Sequence, residues 1–502
     1  MHSELAFVFD CSINSFMKIA IIGGGTAGFI SALILKQTYP DFQIDIIHSP
    51  AISTIGVGEG TTEHWHNFME YVGISNEDLV QKCGATYKSG IMFKGWSQKD
   101  FLHSIESSFT DKYGDFNVLY AHCIANNLDP KLLVNALSWN SLYQPLDNLY
   151  ENIKESPVSQ YHFDTHRLND FLHSFAREKG CSIIEDTIEN VEISQNGIEK
   201  IIGNREYVYD FYVDCTGFKK LLITTLGATW QDYSKFLKVK EAITFQSKNH
   251  DYPMHTLAQA MNNGWLFSIP VQGRKGNGYI FDSDFCTREE AEQELFEYLG
   301  ERVEIKKHIK FQPGKLNKTW IKNCCAMGLS ASFVEPLEAT SIGTTIQQSF
   351  ALVSKITNYN QTVIDRYNNE VDEILINIRD FIILHYLTSG KETDFWKAAS
   401  SVSLPDTLVE KINLFENRIP IDDDCLEKSG KILFWSMNYF IVMYCLGLLN
   451  TQSISKQYNN LPNQVKNYCS NKINEIRTQT NGGNNSQLIS HKAIIEMIKA
   501  FE

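Results

Sequence analysis

Apolar and polar positions divide the chain into short strands and longer helical stretches. From Met17 it reads "MKIAIIGGGTAGFISALILKQTYPDFQIDIIHSP". Lys18–Ile22 is a short apolar run of the kind that becomes a buried strand, a helical period follows from Thr26 to about Thr38, and Gln43–Ile47 is a second strand. Later, "YDFYVDCTGFKKLL" carries a strand ending at Asp214-Cys215-Thr216-Gly217. "NNGWLFSIP" reads as a buried strand ending at Pro270, and "SIGTTIQQSFALVSKI" as a helix. Trp435, Tyr439 and Phe440 recur at helical spacing, which predicts core. "TNGGNNSQ" is a flexible loop between two helical patterns. "GATYKSGI", Gly84–Ile91, reads as a half-buried strand with one cation in it, Lys88, whereas Lys94 in "FKGW" reads as exposed. The simplest fate for Lys88 is to snorkel, with its stem on apolar surface and its head in water.

Composition narrows the class. The 502 residues, 43% hydrophobic and 21% charged, describe a globular chain with two or three structural units. A formal net charge of -14 argues against nucleic acid as a partner. The apolar run Tyr439–Leu449 is too short to span a bilayer, so no membrane partner is expected. Residues 1–16 carry no basic leader and precede Met17-Lys18. They read as a disordered tail or an extension ahead of the natural start. The 11 cysteines form no CxxC pair, and Cys324-Cys325 sit in an apolar run, which fits reduced thiols, a cytoplasmic location and no metal site.

The strand–turn–helix context gives the first glycines a meaning. Gly23, Gly25 and Gly28 form G-x-G-x-x-G. The first permits the tight turn, the second lets a pyrophosphate approach the backbone, and the third lets helix and strand pack closely. Thr26 and Ala27 open the helix whose N-terminus would face the phosphates. The end of the second strand, where Asp or Glu usually holds the ribose, carries His48. The strand-Thr-Gly at Thr216-Gly217 is similar to the one with which flavoproteins of the glutathione-reductase type return to the dinucleotide, and the two elements together favour FAD over NAD. With one such glycine fingerprint in the chain, no dedicated NAD(P)H site is expected.

Flavin hydroxylases share this start, but four further segments resemble the flavin-dependent halogenases of the tryptophan-halogenase type. "TIGVGEGTTEHWHNFMEYVGI", Thr54–Ile74, is close to that family's flavin-edge loop, with Gly58 and Glu59 at its centre. "ATYKSGIMFKGW" stands where the family has its catalytic lysine. "NNGWLFSIP" matches W-x-W-x-I-P, with phenylalanine as the second aromatic residue. "NCCAMGLSASFVEPLEATSI", Asn323–Ile342, contains Gly328 and resembles a run ending in Glu-Ser-Thr-Gly, with Ala339 and Ser341 as departures. Weaker likeness continues through "IRDFIILHYLTSGKETDFW" and reaches about Leu449.

The resemblance implies an α/β, FAD-binding, glutathione-reductase-like (Rossmann-type) fold. Its FAD parts would be 17–60, 161–222 and 320–352, with a substrate module interleaved at 61–160 and 223–319 and a mainly helical region at 353–502. It further implies an enzyme that takes FADH2 from a separate NAD(P)H-dependent flavin reductase, consumes oxygen and a halide ion (chloride, bromide or iodide), and halogenates a small aromatic substrate. Backbone amides of Thr340 and Ser341 would hold the halide. On the residues alone these two are helix-capping positions. Trp265, Phe267, Ile269 and Pro270 would form a wall between flavin and substrate. Lys88 would capture hypohalous acid, either as a haloamine or through a hydrogen bond. The first route needs a neutral amine, and a solvated lysine is only about one part in a thousand neutral near pH 7.4. Glu338 would be the catalytic carboxylate. Without the family, both Glu335 and Glu338 read as a solvated approach to a helix. His103 aligns with a histidine of the family's substrate pocket, or is an ordinary partly exposed histidine. The residues that clamp free tryptophan in some relatives have no clear match. Two other readings stay open: a flavin-dependent aromatic monooxygenase, and a non-catalytic FAD-binding protein. The substrate, the preferred halide and the oligomeric state, a homo-oligomer included, are also open.

Overall fold

The computed structural model describes residues 16–52, 56, 58–104, 116–134, 144–145, 160–388, 390–426, 428–482 and 488–500. The proposed N-terminal extension except Phe16, part of the Thr54–Ile74 loop and residues 483–487 of the Gly/Asn-rich loop lie outside them.

A six-stranded sheet carries the N-terminal glycine turn. Its order is Trp320–Ile321, Cys324–Ala326, Phe211–Asp214, Lys18–Ile22, Gln43–His48, Ser182–Glu185. All neighbours run parallel except the edge pair Trp320–Ile321 with Cys324–Ala326. The apolar run Lys18–Ile22 lies at its centre because it can be buried on both faces. Ile19 and Ile21 face one core, and Ala20 and Ile22 the other. The helix Thr26–Thr38 covers one face and packs on a second helix, Thr340–Val353, where the hydroxyls of Ser31 and Ser349 lie 3.1 Å apart. The expected helix bounds hold, and the second strand runs one residue further than expected, to His48.

A seven-stranded sheet stands beside it, in the order Lys307–Lys310, Glu241–Lys248, Arg274–Phe281, Gly264–Val271, His255–Ala260, Gly90–Lys94, Phe101–His103. Gly264–Val271 continues one residue beyond the expected end at Pro270. A small sheet joins Glu59–Gly60 and Thr86–Tyr87 through Tyr161–Phe163 between them, so the flavin-edge loop and the lysine segment meet. The segment read as one half-buried strand is instead two, Thr86–Tyr87 and Gly90–Lys94, broken at Lys88-Ser89. The C-terminal part is mainly helical, as expected. Its longest described helix, Gln361–His385, buries Ile364, Tyr367, Val371, Ile374, Ile378, Phe381 and His385 along one face. Tyr439 and Phe440 are core, whereas Trp435 is half-buried and stands just ahead of the helix Ser436–Cys445. Among the described residues no helix is long and apolar enough to cross a membrane. Cys324 and Cys325 are free and buried.

Candidate active site

A cavity of about 450 Å³ opens at the carboxyl ends of the parallel strands. Its wall includes Gly23, Gly25, Thr26, Ala27, His48, Gly58, Glu59, Gly217, Gly328, Thr340 and Ser341, so chain segments from six places in the sequence converge there. Gly23 has φ +124, and a Cβ there would lie 2.2 Å from the Cys215 carbonyl oxygen. Gly28 sits behind the wall, where a Cβ would lie 2.0 Å from the Gly23 carbonyl oxygen. At Gly25 a Cβ would meet nothing within 4 Å, and the helix beginning at Thr26 has no side-chain cap. The first N–H groups of that helix therefore stay open to an anion. Asp214 is buried and fixes the Thr216-Gly217 turn. Its Oδ1 accepts from the Thr216 N–H at 3.0 Å and hydroxyl at 2.7 Å, and its Oδ2 from the Leu222 and Ile223 N–H groups at 2.8 and 3.0 Å. The His48 Nε2 has no protein partner. Open backbone at Gly25 and Gly217, an uncapped helix and an unpaired imidazole nitrogen fit a dinucleotide such as FAD. Burial pushes Glu59 up to about 7.

The loop before the second helix is strained. Glu338 and Ala339 both adopt left-handed backbone, with φ +65 and +54. The helix Thr340–Val353 starts without a side-chain cap, which leaves the amides of Thr340 and Ser341 at the cavity wall. Trp265, Phe267 and Ile269, alternate residues of one strand, line the cavity. Pro270 does not. It points away by the same alternation, and its carbonyl accepts a 2.6 Å hydrogen bond from the Thr86 hydroxyl.

Lys88 does not snorkel. It is 0% exposed, and its Nζ donates to the Thr61 carbonyl at 2.6 Å. It sits one layer behind Gly60, where an added Cβ would come within 3.6 Å of the Lys88 stem and 3.5 Å of the Ala339 Cβ. Lys94 is exposed, as expected.

Glu335 and Glu338 are not solvated; both are buried. Glu335 accepts from the Tyr386 hydroxyl at 2.8 Å, and its other oxygen has no partner. Burial pushes its carboxyl up to about 8, against the pull of Tyr386 and Trp265. Glu338 is treated in the opposite way. Burial again acts to raise it, but the imidazoles of His103 and His385 outweigh that and bring it down to about 2. Its Oε1 lies 2.9 Å from His103 Nδ1 and 3.0 Å from His385 Nε2, and its Oε2 is unpartnered. His103 is fully buried behind Glu338, neither partly exposed nor on the cavity wall.

His385 and Asn438 were not singled out from the sequence. The available signal for His385 was its helical spacing from Phe381 and Ile378. Asn438 Oδ1 accepts from the Trp435 N–H at 2.7 Å, so its amide Nδ2 faces His103 Nε2 at 3.2 Å. That places the neutral His103 proton on Nδ1, donated to Glu338. The donor atoms of His103, Glu338 and His385 lie within 4.8 Å of one another, close enough for a metal ion. The Asn438 contact argues against that use, because His103 Nδ1 would have to give up its proton to bind one.

The family model described as tryptophan halogenase matches residues 18–462. The tryptophan 7-halogenase of Lentzea aerocolonigenes is 31% identical over 475 residues, which cover 86% of this chain and 90% of the relative. Among solved structures, a tryptophan halogenase from Shewanella frigidimarina NCIMB 400 superposes with a TM-score of 0.87 at 25% identity, covering 97% of this chain and 98% of that one. A flavin-dependent halogenase from Brevundimonas sp. BAL3 gives 0.81 at 26% identity, covering 96% and 99%. The flavin-hydroxylase and scaffold readings give way to this assignment. The chain belongs to the tryptophan-halogenase family of flavin-dependent halogenases.

Proposed function

We propose that the protein converts halide to hypohalous acid at FADH2 and directs that acid, through Lys88 and Glu338, onto a small aromatic or heteroaromatic substrate. On this reading 17–60, 161–222 and 320–352 form the FAD core, 61–160 and 223–319 the substrate module, and 353–502 the helical remainder. Bound FADH2 supplies the two electrons that, with O2, oxidise the halide: FADH2, O2, halide and a proton give FAD, hypohalous acid and water. The arene and hypohalous acid then give the aryl halide and a second water.

The chain's own groups divide that work. The amides of Thr340 and Ser341 hold the halide at an uncapped helix start, where the dipole is positive. Trp265, Phe267 and Ile269 keep the substrate from the flavin side. Lys88 captures the acid, and its hydrogen bond to Thr61 fixes the direction of its amine. Glu338, ionised near neutral pH, takes up the ring proton at its unpartnered Oε2 or stabilises the cationic ring. His103 orients that carboxylate. The observation that carries this reading is a fully buried amine and a fully buried carboxylate near one point of the chain: a Cβ added at Gly60 would come within 3.6 Å of the Lys88 stem and 3.5 Å of Ala339, the residue after Glu338.

The reduced flavin would come from a separate NAD(P)H-dependent reductase, and the setting would be the cytoplasm. The test is mass spectrometry of an aromatic-compound panel incubated with the protein, a flavin reductase, FAD, NADH and each halide in turn. Gain of one halogen is the expected result. Gain of one oxygen, or no product while halide is consumed, overturns the directed-halogenation reading.

A further inference from the structure

The helix His491–Ala500 lies beyond residue 462, where the family match ends. It is firmly docked: Ile494, Ile495 and Ile498 are 1%, 0% and 0% exposed, and the Gln81 side-chain amide donates to the Ile498 carbonyl at 3.1 Å. Its first residue reaches furthest. His491 is buried, and its Nε2 accepts from the Tyr87 backbone N–H at 3.1 Å. Its Nδ1 donates to the Tyr252 carbonyl at 2.7 Å. The ring also stacks on Tyr87, with centroids 5.5 Å apart.

Tyr87 is the residue before Lys88. On the other side of the lysine, the Ser89 N–H and hydroxyl both donate to the Met254 carbonyl, at 2.6 and 3.0 Å. Both neighbours of Lys88 are thus tied to the segment Tyr252–Met254, Ser89 directly and Tyr87 through the His491 ring. Tyr252 itself holds left-handed backbone, φ +43, so its carbonyl direction depends on being held. Removing His491 would leave the Tyr87 N–H buried and unpaired, and a buried unpaired donor drives rearrangement.

We propose that His491 is a positioning residue for Lys88: a C-terminal imidazole, bridging Tyr87 and Tyr252, that sets the direction of the lysine. The inference rests on the role given to Lys88 above. Displacing a catalytic group by about an ångström costs on the order of 100-fold in rate, so a loosened bridge has a visible effect.

The test uses the full chain with its flavin and reductase. His491→Ala should lower halogenated product on the order of tenfold or more, while flavin loading and trapped hypohalous acid stay at wild-type levels. Hydrogen exchange at the Tyr87 amide should accelerate in the same variant. His491→Gln, which again offers an acceptor and a donor, should recover part of both. Ile494→Ala loosens the same helix without touching Tyr87 and should leave the ratio of product to hypohalous acid unchanged. An unchanged ratio, or a still-protected Tyr87 amide, in His491→Ala overturns the inference alone. If Lys88→Ala leaves product formation intact, the role of Lys88 falls, and this inference with it.

Discussion

The Nε2 of His385 lies 3.0 Å from the Glu338 carboxylate, while its Nδ1 lies 2.8 Å from the Phe381 carbonyl one turn back in the same helix. Both ring nitrogens of His385 therefore face oxygens that can only accept, a backbone carbonyl at Nδ1 and the carboxylate at Nε2. A second imidazole, His103, meets the same oxygen from a strand. Two elements far apart in sequence thus hold one carboxylate, and the carboxylate's second oxygen is left without a protein partner.

Glu338 should stay ionised across the working range. Burial raises its pKa, and His103 and His385 more than reverse this, from an ordinary 4.5 to about 2. The sign follows. Its stabilising contribution is fully present above 4.5 and is lost as pH falls through about 2. The wild-type pH–rate profile should show no acid limb from Glu338 near neutrality. His385→Ala removes one of the two groups that oppose burial, so the limb should move upward. A profile unmoved by His385→Ala in single-turnover measurements would show that His385 does not act on Glu338.

The two glutamates should respond in opposite ways to loss of charge. Glu335, raised by burial from 4.5 to about 8, is neutral at pH 7. Glu335→Gln should keep activity within a few-fold, whereas Glu338→Gln should lose on the order of 10²–10⁴. Glu335 also gives a stability signature. Ionising it in place costs free energy, so wild-type stability from this group falls as pH rises from 4.5 to about 8. Thermal melts of wild type and Glu335→Gln should therefore diverge in the variant's favour over that window.

Lys88→Ala should lower halogenated product on the order of 100-fold or more while flavin binding and hypohalous acid formation persist. Lys94→Ala should resemble wild type, because that side chain is exposed. Product formation measured beside dye trapping of hypohalous acid separates the two steps. Near wild-type product from Lys88→Ala would return this lysine to a structural role.

Ser341→Pro removes one of the free amides at the start of the helix Thr340–Val353 and leaves the rest of the cavity wall in place. The halide concentration needed for half-maximal rate should rise, with FAD affinity unchanged. Equal loss of both would mean that the loop is structural and that halide binds elsewhere.

The sequence by itself determined the elements whose rules are local. Gly23, Gly25 and Gly28 were readable because a tight turn, an open approach and a close packing each depend on backbone within a few residues. The wall strand was readable because Trp265, Phe267 and Ile269 follow a period of two; of the three aromatic residues at helical spacing, Tyr439 and Phe440 are core, while Trp435 falls just before the helix and is half-buried. The same period of two, carried through, also turns Pro270 away from the cavity.

Tertiary structure alone decided the state of the charged groups. On local sequence Lys88 reads as a snorkelling cation and Glu338 as a solvated carboxylate, because exposure depends on what other elements cover a side chain. Local sequence does not encode that. His103 and Glu338 are 235 residues apart, His103 and Asn438 335 apart, and Tyr87 and His491 404 apart. Periodicity says which face of an element turns inward, but it does not say which polar group from another element waits there. A buried charge is set by that meeting: burial pushes Glu335 toward the neutral acid, and two imidazoles, brought in by a distant strand and a distant helix, hold Glu338 as an anion.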